Sequence, residues 1–279
     1  MAAGMGRSTT RIRSNGFIRE RAGVNDWDPK LYLRFGDERT RAAIDLLARI
    51  PEDAPARVVD LGCGPANSTA LLAARWPVAT LDGVDSSAAM IEQARAALPS
   101  ARFEQADIAN WTASTPYDVV YSNATLQWLP DHATLIPRLF EAVAPGGWFA
   151  VQIPNNKASP SQSVFRALAQ TSRWRDKLKN AAISPPIGTV GLYDDVLRPA
   201  ARKVDIWETE YQHRMKDAAA IVEFVRATAI KPYLDCLVAD EQRAFLDEGT
   251  RLMADQFERR SDGSLLFAFR RLFFVAQRA

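Results

Sequence analysis

The sequence predicts an α/β protein: a doubly wound, mostly parallel seven-stranded sheet with a helical insertion covering its ligand edge. Three observations carry that expectation. From Trp27 onward, short apolar runs alternate with helical patterns; the first run enters a glycine-rich turn; and five runs are separated by helix-length segments. Parallel neighbours need such crossovers, whereas antiparallel ones do not. The chain has 279 residues, 47% hydrophobic and 24% charged, which suits one large globular domain without covalent staples.

In order, Asp37 is placed to cap a helix carrying Ile44, Leu46, Leu47 and Ile50, which stops before Pro51. Residues 57–61 read as a buried strand, 68–76 as a helix ended by Pro77, and 80–85 as a second strand. A helix over 88–98 puts Met90, Ile91, Ala94 and Leu98 on one face. Strands follow at 102–105 and 117–122, then a helix over 134–143 with Pro137 an objection to its first turn. Pro145-Gly146-Gly147 turns the chain into a fifth strand at 148–153. Loop signals at Pro154-Asn155-Asn156 and Ser184-Pro185-Pro186 surround one or two helices, including one at 164–174, so 154–202 is expected to be the insertion. Alternation over 204–212 predicts a sixth strand, with helices at 218–227 and 240–256 and a last strand at 265–275. The folded domain is thus expected over 27–279, after a disordered leader at 1–26.

Charge is unevenly placed. Residues 1–25 carry Arg7, Arg11, Arg13, Arg19 and Arg21 against Glu20 alone, a net +4, which leaves the remainder at −2 of the total +2. A mildly acidic body lacks the basic face that nucleic acid requires. No apolar run approaches the length of a membrane span, and nothing signals an obligate protein partner. Cys63 and Cys236 are too few and too isolated for a disulfide framework or a metal site, so no metal is expected and a cytoplasmic location fits.

Ligands of doubly wound sheets bind beyond the carboxyl ends of the strands, where the strand order reverses. The segment Val58-Val59-Asp60-Leu61-Gly62-Cys63-Gly64-Pro65-Ala66-Asn67 stands at such an end, and Asp85 ends the next strand, placed to take two ribose hydroxyls. A nicotinamide dinucleotide is one candidate. Against it, Asn67 replaces the third glycine of that fingerprint, and the Asp60 carboxylate would repel a pyrophosphate while suiting a cationic amino-acid head.

Asp60-Leu61-Gly62-Cys63-Gly64-Pro65 resembles the cofactor loop of class I S-adenosylmethionine-dependent methyltransferases, which are Rossmann-like. Asp85 is similar to their acid after the second strand, Ala106-Asp107-Ile108 to their adenine-binding segment, and Pro145-Gly146-Gly147 to the turn before their fifth strand. Their third loop glycine is here Ala66. The resemblance implies cofactor roles for Asp60, Gly62, Gly64, Asp85, Ser86, Asp107, Ile108 and Asn123. Longer segments resemble the trans-aconitate 2-methyltransferase family: Trp27-Asp28-Pro29, the run from Asn123 to His132, Gln152-Ile153-Pro154-Asn155-Asn156, Val204-Asp205-Ile206-Trp207 and Phe269-Arg270-Arg271-Leu272-Phe273.

That resemblance implies methyl transfer from S-adenosylmethionine to one carboxylate of trans-aconitate, giving a monomethyl ester. A carboxylate is ionised at neutral pH, so no general base and no catalytic residue is expected; positioning and desolvation do the work. The remaining carboxylates need Arg, Tyr, His or amide donors, for which Tyr32, Gln127, Trp128, Tyr193, His213 and Arg271 are candidates. Each has a plainer reading. Tyr32 and Trp128 can be cofactor or lid packing, Arg271 a surface charge, His132 structural, and Cys63 small packing. Competing functions are a carboxyl methyltransferase for a carrier-bound malonyl group and a non-catalytic cofactor-binding domain.

Overall fold

The computed structural model describes residues 40–183 and 187–279, apart from the Ala227 side chain. The leader, the cap at Asp37 and Tyr32 therefore lie outside the described residues. Helix α1 (Arg41–Ala48) precedes β1 (Arg57–Leu61), α2 (Asn67–Arg75), β2 (Thr80–Asp85), α3 (Ala88–Ala97), β3 (Arg102–Gln105), β4 (Tyr117–Asn123), α4 (His132–Phe140) and β5 (Val143–Pro154). The remainder comprises α5 (Pro160–Ala169), α6 (Arg175–Leu178), α7 (Val190–Leu197), β6 (Ala201–Met215), α8 (Ala218–Val225), α9 (Lys231–Leu234), α10 (Ala239–Ala254) and β7 (Leu265–Arg278).

All seven strands form one sheet in the order β3-β2-β1-β4-β5-β7-β6. The first five are parallel, and β7 inserts antiparallel between β5 and β6. The order reverses between β1 and β4, so the ends of those two strands flank the crevice where a ligand belongs.

Side-chain alternation builds two cores, one on each face. Val59, Val120, Phe149, Val151 and Phe274 point to the face covered by α4 and α7. Val58, Val119, Ala150, Phe273 and Val275 point to the face covered by α1 and α2. A sheet buried on both sides needs such near-continuous apolar strands, since successive side chains go to opposite faces.

The expected insertion at 154–202 divides. Its α5 and α6 join α8, α9 and α10 in a separate apolar cluster with the β7 residues Leu265, Phe267 and Phe269. Its α7 returns to the sheet, where Tyr193 and Leu197 enter the main core. The cause is composition: Tyr193 and Leu197 give α7 an apolar stripe matched to the sheet face, whereas Phe165 and Leu168 of α5 meet Phe245 and Met253 of α10. The cap is therefore built from two stretches of chain. It stands on the outer halves of β6 and β7, which pair over their full length and outrun the parallel strands. Among the described residues, no helix is long and apolar enough to cross a membrane.

Candidate active site

The glycine loop follows from the end of β1. Gly62 and Cys63 donate their backbone N–H groups to Val84 O, at 2.7 and 3.1 Å, pinning the loop to β2. Gly62 has φ +78° and a Cβ there would collide with the Thr125 side chain, so the turn requires glycine. Gly64 N donates to Asp85 Oδ2 at 3.0 Å, and Ser87 N to Asp85 Oδ1 at 2.9 Å. Asp85 thus stands beside the loop with its orientation fixed. Ala66 occupies the left-handed region, φ +73°, at the start of α2.

Asp60 is fully buried and accepts from Ser68 Oγ at 2.6 Å and Thr69 Oγ1 at 2.8 Å, tying the strand end to the first turn of α2. Burial outweighs those bonds and pushes its carboxyl up to about 6. Burial likewise pushes the Cys63 thiol far up, so it stays protonated and unreactive.

A cavity of about 400 Å³ opens between this loop, the ends of β4 and β5, and the cap. Of the expected residues, Gly62, Gly64, Asn123, Gln127, Trp128 and Arg271 line it. Gln127 Nε2 is committed to Ala124 O at 2.6 Å, so it shows an acceptor; Gln127 Oε1 and Asn123 Oδ1 are buried with no hydrogen-bond partner among the described residues. Arg271, on β7, is 5% exposed; it lies 4.7 Å over the Phe269 ring, and its Nη1 donates to Gln152 Oε1 at 3.1 Å. Among the described residues, no carboxylate stands within ion-pair distance of it. Loss of water pushes its guanidinium down to about 10, which leaves it charged at neutral pH.

The other expected residues do not line the cavity: Asp60, expected to face a cationic head, is buried against Ser68 and Thr69, and Asp85 is held by Gly64 N and Ser87 N. Ser86 is exposed; Asp107 is exposed too, and accepts from Ala109 N at 2.9 Å; Ile108 is buried in the main core. Tyr193, expected as a substrate residue, is fully buried: its hydroxyl meets His132 Nδ1 at 2.6 Å and accepts from Gly188 N at 3.0 Å, and burial pushes it up to about 12. His213 lies inside β6 among Tyr211, Phe224, Phe267 and Phe269, one layer behind the wall that Phe224 and Phe269 give the cavity. Sequence reasoning missed Lys157, Gln162 and Phe269 in the lining, and Gln152 behind Arg271. A glutamine interrupting the apolar run of β5 was the available signal for the last.

A Gly-rich loop at the reversal of a doubly wound sheet, with acceptors gathered beside it, defines the class: residues 34–216 match the methyltransferase domain family. The fold agrees with the YcgJ protein of Bacillus subtilis (TM-score 0.55, 13% identity, 85% of this chain and 98% of that one) and with a phosphoethanolamine N-methyltransferase 2 of Haemonchus contortus (0.53, 14%, 89% and 56%). Trans-aconitate 2-methyltransferases are far nearer in sequence. That of Methylobacterium radiotolerans is 52% identical over 91% of this chain and 99% of its own length, and that of Variovorax paradoxus 51% over 91% and 98%. The chain belongs to the trans-aconitate 2-methyltransferase family.

Proposed function

We propose that the protein transfers the methyl group of S-adenosylmethionine to one carboxylate of trans-aconitate, releasing the monomethyl ester and S-adenosylhomocysteine. One observation supports this above the others. The charged side chains among the described lining residues are Lys157 and Arg271, both cations, and no carboxylate among the described residues stands within ion-pair distance of the buried Arg271. An uncompensated buried cation is unfavourable unless a ligand supplies the anion.

The opposite side of the cavity fits the cofactor. Asn123 Oδ1 and Gln127 Oε1 are acceptors suited to an ammonium group and the loop at Gly62 and Gly64 brings backbone close, while Asp85, outside the lining, is held beside that loop by Gly64 N and Ser87 N as an acceptor for ribose hydroxyls. When bound there, S-adenosylmethionine supplies a methyl carbon activated by a sulfonium. Gln127, expected to hold substrate, is better suited to that cation than to a carboxylate because its free atom is an acceptor. Arg271 holds a non-reacting carboxylate and so aligns the reacting one. Phe224, Val225 and Phe269 line the same cavity and exclude water, which otherwise stabilises separated charges more than the transition state in which they fade. No side chain needs to take a proton, because the acceptor arrives ionised.

The test is an assay of the full chain with both substrates. Formation of the monomethyl ester is expected, with a rate that levels off above pH ~6 and shows no second rise near ~7–8 from a histidine base. No ester from trans-aconitate, with rapid methylation of a malonyl carrier protein, overturns the reading.

A further inference from the structure

A buried arginine ordinarily meets a carboxylate, which cancels its charge. Here the group against Arg271 Nη1 is the neutral amide of Gln152, 3.1 Å away. Pro154 of β5 pairs with Arg271 of β7, and Gln152 lies two residues back along β5, so both side chains rise from one face of adjacent strands. Gln152 is fully buried, and its Nε2 has no hydrogen-bond partner among the described residues. The bond to the cation fixes the amide: Oε1, the acceptor, must face the guanidinium, and the two N–H donors must point elsewhere. What reaches the cavity is Arg271, with its donors and one whole positive charge.

A glutamate at this position would be nearly the same size. It would close a buried ion pair with Arg271 and discharge that end of the cavity. Choice of the amide leaves the cation aligned yet, among the described residues, unneutralised, which suits an anion that comes from outside. Gln152 is outside the cavity lining while Arg271 is in it, so the amide acts on a bound anion through the guanidinium it holds.

We infer that Gln152 is a specificity-determining positioning residue: it holds Arg271 without neutralising it, so that Arg271 meets the non-reacting carboxylate with its charge intact. This rests on the anionic-acceptor reading of the cavity given above.

The experiment compares Gln152→Glu, Gln152→Leu and Arg271→Met by steady-state kinetics, with cofactor affinity from calorimetry and Tm from thermal unfolding. Gln152→Glu is expected to raise KM for trans-aconitate at least ~10-fold, since a charge-assisted contact is lost. Its kcat and its affinity for S-adenosylmethionine stay near wild type, and its Tm is equal or higher because Arg271 gains a counter-ion. Better folding with poorer use of the anion is a split that a merely structural glutamine would not produce. A wild-type KM in Gln152→Glu, with a raised KM in Arg271→Met, overturns the inference and leaves the cavity reading intact. A wild-type KM in both overturns the cavity reading itself. Should Gln152→Glu not fold, Gln152→Leu decides: a raised KM with cofactor affinity retained supports the inference, and an unchanged KM overturns it.

Discussion

Replacing Arg271 by methionine separates stability from function. The guanidinium, pushed from 12.5 down to about 10 by burial, is charged in both folded and unfolded chains at neutral pH. Its folded pKa is the lower one, so the fold bears the full desolvation penalty throughout the range below ~10, a displacement worth about 3 kcal/mol. Methionine fills similar space without charge, but leaves Gln152 Oε1 without its donor, a loss of about 1–2 kcal/mol. The ligand-free variant should therefore be more stable by ~1–2 kcal/mol, or ~2–8 °C in Tm for a chain of this size. Binding moves the other way. A charged hydrogen bond to a carboxylate contributes about 1.5–3 kcal/mol, so KM for trans-aconitate should rise ~10- to 150-fold. Differential scanning calorimetry without ligands and initial-rate kinetics read the two effects. A fall in Tm together with an unchanged KM would refute the reasoning, because Arg271 would then be a structural cation satisfied within the fold.

Three further outcomes are expected. Gly62→Ala forces a Cβ into the Thr125 side chain at a left-handed φ, so urea unfolding should show a loss of ~2 kcal/mol or more and calorimetry a weakened cofactor affinity. Asp60→Asn keeps acceptors for Ser68 and Thr69 but removes a buried charge. The wild-type carboxyl, raised to about 6, contributes stability that is present below pH ~4 and lost as pH rises through its folded value. The asparagine variant should therefore be the more stable by ~1–3 kcal/mol at pH 7.5, with the difference vanishing towards pH 4 in a Tm series. Tyr193→Phe strands His132 and the Gly188 N–H, so denaturant unfolding should show a loss of ~1–3 kcal/mol while KM for the acceptor stays unchanged.

The parallel half of the sheet was legible because its strands are buried on both faces and read as apolar runs, punctuated by the glycines and prolines that end them. The loop at Gly62 was legible for the same local reasons, since a turn this tight leaves few residue choices. The cap was not. Whether 154–202 packs on the sheet or away from it depends on what 218–257 offers as a partner, and that is a long-range fact no window of sequence contains. Tyr193 shows the same limit at one residue: a helical tyrosine could face cavity or core, and only the distant His132 and Gly188 decide it. Arg271 and His213 lie two residues from aromatic neighbours on long strands, and pattern alone could not say that one reaches the cavity while the other stops behind Phe224 and Phe269.

The place of β7 has a consequence for how the protein is made. It is the last strand in the chain, yet it lies inside the sheet, between β5 and β6. During synthesis the strands β1 to β5 emerge first and can pair in sequence, completing the side of the crevice that carries Gly62, Asp85 and Asn123. Strand β6 has no edge to join until β7 arrives, and β7 also carries Leu265, Phe267 and Phe269, on which the cap assembles. The Arg271 side of the cavity must therefore form only once β7 has been made, through contacts of long sequence separation that fold slowly. A chain that lacks β7 can have its loop in order and still lack the Arg271 end of the cavity.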